Sequence, residues 1–283
     1  MGKKRKKIYH LNWKNDKNMI SEKCEFYLKS YLDQIQGFNN LSEKDIKKLR
    51  DKVHIKLNDK QLNSIRRIQL FQRMMIDSKK AQKLADRLYR EYKHGKSIET
   101  LSMRYRLSPM TIMSKILKIK YKKSIKHTKK LDVRDTKEMT YARKNDALMG
   151  NPQQIRKHSQ QFEYYIQDYF IHYNIPITTE DELQKVQQKK YGRAINTPDL
   201  IFNDPINING KLVKWLDCKN YYGSIVNMFL IKKNQKQVDK YNKKWGPGAL
   251  LFSLGFNRDL GKKIKNVLLL DFVNDVNSAQ ILK

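Results

Sequence analysis

The sequence predicts a chain in two parts: an all-α N-terminal domain containing a helix-turn-helix, then an α/β domain. Three observations predict it. Apolar residues recur at helical spacing through roughly the first 120 positions. After Pro152, helical stretches alternate with short apolar runs. Two of those runs are joined by Asn209-Gly210, a strong hairpin signal.

In the first part, Ser42-Glu43-Lys44-Asp45 has the form of a capping box ahead of a charged helix. Asp59 is expected to cap the next helix, in which Leu62, Ile65, Ile68, Phe71 and Met75 recur at roughly helical spacing. A further helix is expected from about 78 to 92, ended near Gly95. Ser97 then caps a short helix carrying Ile98, Leu101 and Tyr105. Leu107-Ser108 makes a tight break, and Ser108 caps a second helix with Pro109 at its first position. Ile112, Ile116 and Ile119 give that helix an apolar face, with Thr111, Ser114, Lys115 and Lys118 on its other sides. A short helix, a turn and a polar-basic second helix form the helix-turn-helix pattern, whose second helix can enter a major groove. An ordinary packed helical hairpin has the same pattern. Residues 1–121 are thus the expected DNA-docking region, with Thr111, Ser114, Lys115 and Lys118 as candidate contacts. Residues 122–151, mixed and strongly charged, are expected to link it to a second domain over 152–283.

In that domain a helix from about 154 to 173 carries Phe162, Ile166 and Phe170 along one face. Ile175-Pro176-Ile177 is extended, and Thr178 or Thr179 starts a helix through Glu182 and Leu183. A strand begins at Leu200-Ile201-Phe202, turns at Asn209-Gly210 and returns over 212–219. A basic helix over about 229–243 and two apolar strands, 249–256 and 267–272, complete the pattern, with Gly246-Pro247-Gly248 between them and the helix.

Composition narrows the partners. The net charge of +32 over 283 residues favours polyanions, because lysine and arginine gain affinity by releasing counterions from phosphates. Richness in lysine, asparagine and isoleucine also fits an AT-rich coding sequence, which discounts the charge. DNA is the expected partner, with RNA or a protein as alternatives. Cys24 and Cys218 cannot build a disulfide framework, and neither Cys nor His offers zinc-ligand spacing. An intracellular setting is expected. No stretch approaches the roughly 20 apolar residues that span a bilayer, so no membrane partner is expected. The basic run Gly2-Lys3-Lys4-Arg5-Lys6-Lys7 reads as a nuclear address, a phosphate-binding arm or a plain solvated end.

The residues that carry chemistry lie in Thr197-Pro198-Asp199 and Trp215-Leu216-Asp217-Cys218-Lys219. Side chains alternate along a strand, so Asp217 and Lys219 share one face and Cys218 takes the other. Val213 and Trp215 are expected on the face that leads to Asp217. Asp199 and Asp217 at adjacent strand ends could hold Mg2+, or Mn2+ in its place, with the Cys218 carbonyl as a further oxygen. Lys219 could orient or deprotonate a water, or stabilise charge on a phosphorane-like transition state. Glu163, near the middle of its helix, could supply a third carboxylate or be a solvated surface residue. Gln237 and Tyr241, four apart, project from one helix face and could bridge water or phosphate. Lys232, Lys233, Lys236 and Lys240 nearby would suit a phosphate backbone or simply be solvated.

In this order, Glu163, Pro198-Asp199, Asp217-Cys218-Lys219 and Gln237-x-x-x-Tyr241 resemble the PD-(D/E)XK nucleases, particularly their RecB-like branch. More narrowly, the chain resembles the TPD-motif family that includes the codanin-interacting nuclease. Asn174-Ile175-Pro176, Glu182-Leu183, Gly223 and Gly246-Pro247-Gly248 also match, so the likeness covers about 145–272. The resemblance implies a restriction-endonuclease-like fold and a Mg2+-dependent endonuclease. It implies Asp199, Asp217 and Glu163 as metal-binding and catalytic carboxylates and Lys219 as catalytic. It also implies that Gln237 and Tyr241 help to position metal and DNA. Ser159 stands where the RecB-like pattern often has glycine, and 188–196 is longer and more basic than usual. An inert binding module on the same fold, or an RNA- or structure-selective nuclease, is the alternative.

Overall fold

The computed structural model describes residues 8–16, 18–122, 131–149, 152–272 and 279–282. The basic run Gly2–Lys7 lies outside them. The chain divides into two compact units, one drawn from Met1–Phe26, Ile55–Ser64 and Arg156–Lys283, the other from Tyr27–His54 and Ile65–Ile155. The helices of the first half are α1 (Glu22–Gln34), α2 (Glu43–Val53), α3 (Asp59–Lys83), α4 (Ala85–Lys93), α5 (Ile98–Tyr105) and α6 (Pro109–Tyr121). They are followed by α7 (Val133–Lys144), α8 (Pro152–His172), α9 (Glu180–Tyr191) and α10 (Met228–Trp245). No helix among the described residues is long and apolar enough to cross a membrane.

Local capping explains most of these boundaries. Ser42 and Asp45 form the expected reciprocal box at α2. At α3 the cap is Asn58 and not Asp59: Asn58 Oδ1 accepts from the Gln61 N–H at 2.9 Å, and Gln61 Oε1 from the Asn58 N–H at 2.8 Å. The helix expected over 78–92 is divided, because α3 runs on to Lys83 before α4 begins. Ser97 and Ser108 cap α5 and α6 as expected, each accepting from the backbone three residues on.

In the helical unit, α4, α5 and α7 all pack on α6. Its buried face is therefore broader than Ile112 and Ile116 alone and includes Met113 and Leu117, while Ile119 is half-buried. The segment expected as a linker contains α7. Asp132 caps it, and buried Asp135 accepts from Tyr92 Oη at 2.8 Å, Tyr121 Oη at 2.6 Å and Lys120 Nζ at 2.8 Å. Met139 and Ala142 are its buried apolar residues, a stripe too thin to read as amphipathic among so many charges. Residues 123–130 and 150–151 of the expected linker lie outside the described residues.

The other unit holds a mixed sheet in the order β6-β5-β4-β3-β1-β7, with β2 also paired to β3. Its strands are β1 (Tyr9–Trp13), β2 (Ile177–Thr179), β3 (Leu200–Ile208), β4 (Lys211–Lys219), β5 (Gly248–Phe252), β6 (Leu268–Asp271) and β7 (Ala279–Leu282). The first of these falls in the region expected to be helical. β1 runs parallel to β3, and the β3–β4 turn ties it down: Asn209 Oδ1 accepts from the Trp13 N–H at 2.7 Å, and Asn209 Nδ2 donates to the Trp13 carbonyl at 2.9 Å. Asn209 (φ 52°) and Gly210 (φ 78°) both take the left-handed backbone that a two-residue hairpin demands.

Each face of the sheet carries a helix. Ile166, Tyr169 and Phe170 of α8 pack with Leu200, Phe202, Leu216 and Leu251 on one face. Ile231, Val238 and Tyr241 of α10 pack with Trp215, Leu250 and Phe252 on the other. Val213 joins the α8 core and Trp215 the α10 core, contrary to the expectation that they share a face. The cause is a register shift in the β3–β4 ladder between the pairs Ile201–Trp215 and Ile206–Val213. The buried Trp215 indole donates to the Gly246 carbonyl at 2.8 Å and lies over Gly248, where a Cβ would meet the ring at 2.1 Å.

Candidate active site

Strand alternation after the register shift decides what β4 presents. Asp217 and Lys219 face α10, and the Cys218 side chain packs against the α8 core. Asp217 is buried, 3% exposed, and forms an ion pair with Lys219 through Oδ2. Its Oδ1 accepts from Gln237 Nε2 at 3.0 Å, while Oδ2 is buried without a hydrogen-bond donor of good geometry. Lys219 Nζ donates to Gln237 Oε1 at 2.8 Å.

Both ends of the Gln237 carboxamide are engaged, since its Nε2 also donates to Tyr241 Oη at 2.9 Å. This pattern fixes the carboxamide's orientation, because a flipped amide would aim its NH2 at the Lys219 ammonium. Tyr241 in turn donates to the Thr197 carbonyl at 3.0 Å, tying α10 to the Thr197-Pro198-Asp199 turn. The i, i+4 spacing of Gln237 and Tyr241 puts both on the face of α10 that meets the sheet.

Asp199, half-buried at the start of β3, accepts the Cys218 N–H through Oδ2 at 2.5 Å. Burial, then the nearby Asp217 charge, pushes its carboxyl well above the usual range, against the opposing Cys218 hydrogen bond. Burial also acts to lower Lys219, but the Asp217 and Asp199 carboxylates outweigh it and the ammonium lies above the ordinary lysine value. Glu163, half-buried on α8, is raised by burial and then by Glu180 and Asp217. Burial, then the Asp199, Asp217 and Glu163 carboxylates, hold the Cys218 thiol well above its usual value, and its side chain packs on the α8 side of β4. The expected contribution of Cys218 through its backbone carbonyl is separate from this.

The donor set suits a hard divalent cation. Two carboxylates lie at adjacent strand ends, one with its buried Oδ2 held against the Lys219 ammonium, and burial together with the Asp217 charge raises Asp199. No three His, Cys, Asp or Glu side chains among the described residues gather into a ready cage, while the Glu163 charge still acts on Asp199 and Asp217. Mg2+ commonly takes one or two carboxylates and completes its shell with water and phosphate oxygens.

Three residues of the site escaped the sequence reading. Glu180, at the first position of α9, accepts from Thr197 Oγ1 at 2.8 Å and donates its N–H to the Asp199 carbonyl at 3.0 Å. Tyr221 and buried Asn234 hydrogen-bond to each other at 3.1 Å. Only the position of Tyr221 two residues beyond Lys219 could have singled it out. All three, with Lys219, Gln237 and Tyr241, line an open cleft of about 640 Å³.

The candidate DNA contacts belong to the helical unit. Thr111, Ser114 and Lys115 are half-buried on α6, Lys118 is exposed, and Lys115 Nζ donates to Gln82 Oε1 at 2.7 Å.

No solved structure matches the chain. The uncharacterized protein L539 of Acanthamoeba polyphaga mimivirus is 32% identical over 122 residues, 41% of this chain and 41% of that protein. The chain thus spans about two fifths of the length of this curated relative. A family described as "Protein of unknown function TPD sequence-motif" matches residues 131–273, a span that holds the Asp199, Asp217, Lys219 and Gln237 cluster. That match covers half of the chain, and this protein belongs to the TPD sequence-motif family.

Proposed function

We propose that this protein is a Mg2+-dependent DNA endonuclease of the PD-(D/E)XK type with a restriction-endonuclease-like catalytic domain, Mn2+ substituting for Mg2+, and that the α5–α6 helix-turn-helix docks on DNA. The observation that carries the reading is the linked set of Asp217, Lys219 and Gln237 beside Asp199, opening on a lysine-bearing cleft.

Asp199 and Asp217 would hold the cation, with Glu163 in reserve through water and the Cys218 carbonyl as a further oxygen. Bound there, a divalent ion supplies charge neutralisation and lowers the pKa of a water. The chain's own residues do the rest. Lys219 donates to Gln237 and pairs with the Asp217 charge, and the remaining N–H capacity of its ammonium would serve a phosphate oxygen. It is thereby suited to stabilise charge that develops on phosphorus. Gln237 holds Asp217 and Lys219 in fixed relation, and Tyr241 anchors Gln237 to the Thr197 carbonyl.

The test is cleavage of supercoiled plasmid by purified protein with Mg2+, with Mn2+ and with EDTA. Cutting that needs metal and is lost in Asp217→Asn and Lys219→Met supports the reading. A wild-type protein that cuts no DNA, and binds no Mg2+ at millimolar concentration by calorimetry, sinks it. An RNA arm in the same panel separates the two nucleic acids.

A further inference from the structure

The cleft is asymmetric in charge. Its α10 wall carries Lys233, Lys236 and Lys240, all exposed, and Lys219 lies at its floor. None of Lys233, Lys236 and Lys240 forms a salt bridge among the described residues. Glu180 is the one carboxylate of the lining, and it is engaged by the Thr197 hydroxyl. At spacings of three and four, these ammonium groups stack on one face and repel one another, a cost of a few tenths of a kcal/mol per pair with no anion present.

We propose that Lys233, Lys236 and Lys240 form a track for the phosphates of one nucleic-acid strand, leading it along α10 to Lys219. The proposal rests on the nuclease reading for its substrate and adds the direction from which that substrate enters. Geometry supports it. Seven residues of helix rise about 10.5 Å, about the length of duplex axis over which one strand advances three nucleotides at roughly 3.4 Å each. Lysine, as a flexible point charge, suits phosphates without reading sequence. Exposed Lys232 lies on the same helix but outside the cleft, so the track is a property of one helix face and not of α10 as a whole.

The experiment measures binding of the full chain to a fluorescein-labelled duplex in EDTA, by anisotropy over a range of NaCl. Wild type is compared with the K233Q/K236Q/K240Q variant and with a K189Q/K232Q/K243Q variant, which loses the same charge at exposed sites outside the cleft. Three lost phosphate contacts reduce the slope of log K against log salt by about 2.7 and weaken binding by roughly tenfold or more at physiological salt. Thermal melts of both variants matching wild type exclude misfolding as the cause. Equal slopes in the two variants overturn the track, as does polyglutamate competing as well as unlabelled duplex. Because binding is read without metal, a protein that never cuts but shows the slope change retains the track and loses the nuclease reading.

Discussion

Lys219 Nζ donates to Gln237 Oε1 at 2.8 Å, so a residue of α10 sets the position of a strand residue across the sheet surface. The same carboxamide reaches Asp217 and Tyr241. If the cluster is catalytic, Gln237 is a positioning residue. Gln237→Ala is expected to lower kcat for plasmid cleavage about 10–100-fold. KM and the thermal midpoint should be nearly unchanged. An equal loss in both kinetic constants with a lowered midpoint would make the role structural.

Gly248 is required by Trp215. A Cβ there would lie 2.1 Å from the indole, and both neighbours are fixed, the ring by its bond to the Gly246 carbonyl and the backbone by pairing with β4. Gly248→Ala should destabilise the α/β unit by about 3 kcal/mol, at the upper end of overpacking costs. Urea unfolding checks it, and a change under ~0.5 kcal/mol would show that the sheet yields.

Glu25 is fully buried, with Ser224 Oγ, the Ile225 N–H and Asn257 Nδ2 around its carboxyl. Burial pushes its pKa up to about 7, against the lowering effect of these bonds. The folded state therefore binds a proton more tightly than the unfolded chain, whose value is near 4.5. Its contribution to stability is complete below about 4.5 and is lost as pH rises to about 7, a span worth roughly 3 kcal/mol. Urea titrations at pH 5 and 7.5 should show wild type losing stability relative to Glu25→Gln. Parallel behaviour of the two would disprove the buried titration.

Asp135 is a buried carboxylate of the helical unit. It takes bonds from Tyr92, Tyr121 and Lys120 at once. Asp135→Ala leaves the Tyr92 and Tyr121 hydroxyls without this acceptor and Lys120 with Asp132 alone, and should cost about 2–3 kcal/mol. Hydrogen exchange should show α7 losing protection first.

Much of this was legible in the sequence, for physical reasons. Asn209-Gly210 needs two left-handed residues, Ser97 and Ser108 have side chains that bond backbone donors, and Pro109 fits a first turn. Each acts over three or four residues, which is the range that sequence displays directly. The placement of Asp217 and Lys219 on one face follows from strand alternation alone. Long-range facts were hidden. β1 owes its pairing to residues about 200 positions away, and its YHLNW alternates too briefly to announce a strand. Glu180 became a site residue through Thr197, 17 positions on. Val213 and Trp215 separated because β4 breaks its alternation at Lys214, where the β3–β4 register shifts, while Leu200, Phe202, Ile206 and Ile208 of β3 keep to one face.

The pairing of β1 with β3 has a consequence for synthesis on the ribosome. Tyr9 aligns with Ile206, and β7, its other neighbour, comes later still. Residues through Ile155, which complete the helical unit, have been translated before either partner exists. During that interval residues 9–13 lack the strands they pair with, and their apolar side chains and unpaired backbone are a template for wrong partners. A chain that stalls or is cut before residue 200 thus keeps its helices yet carries a sticky N-terminal strand. Such fragments should aggregate through residues 9–13, and a lysine in place of Leu11 should keep them dispersed.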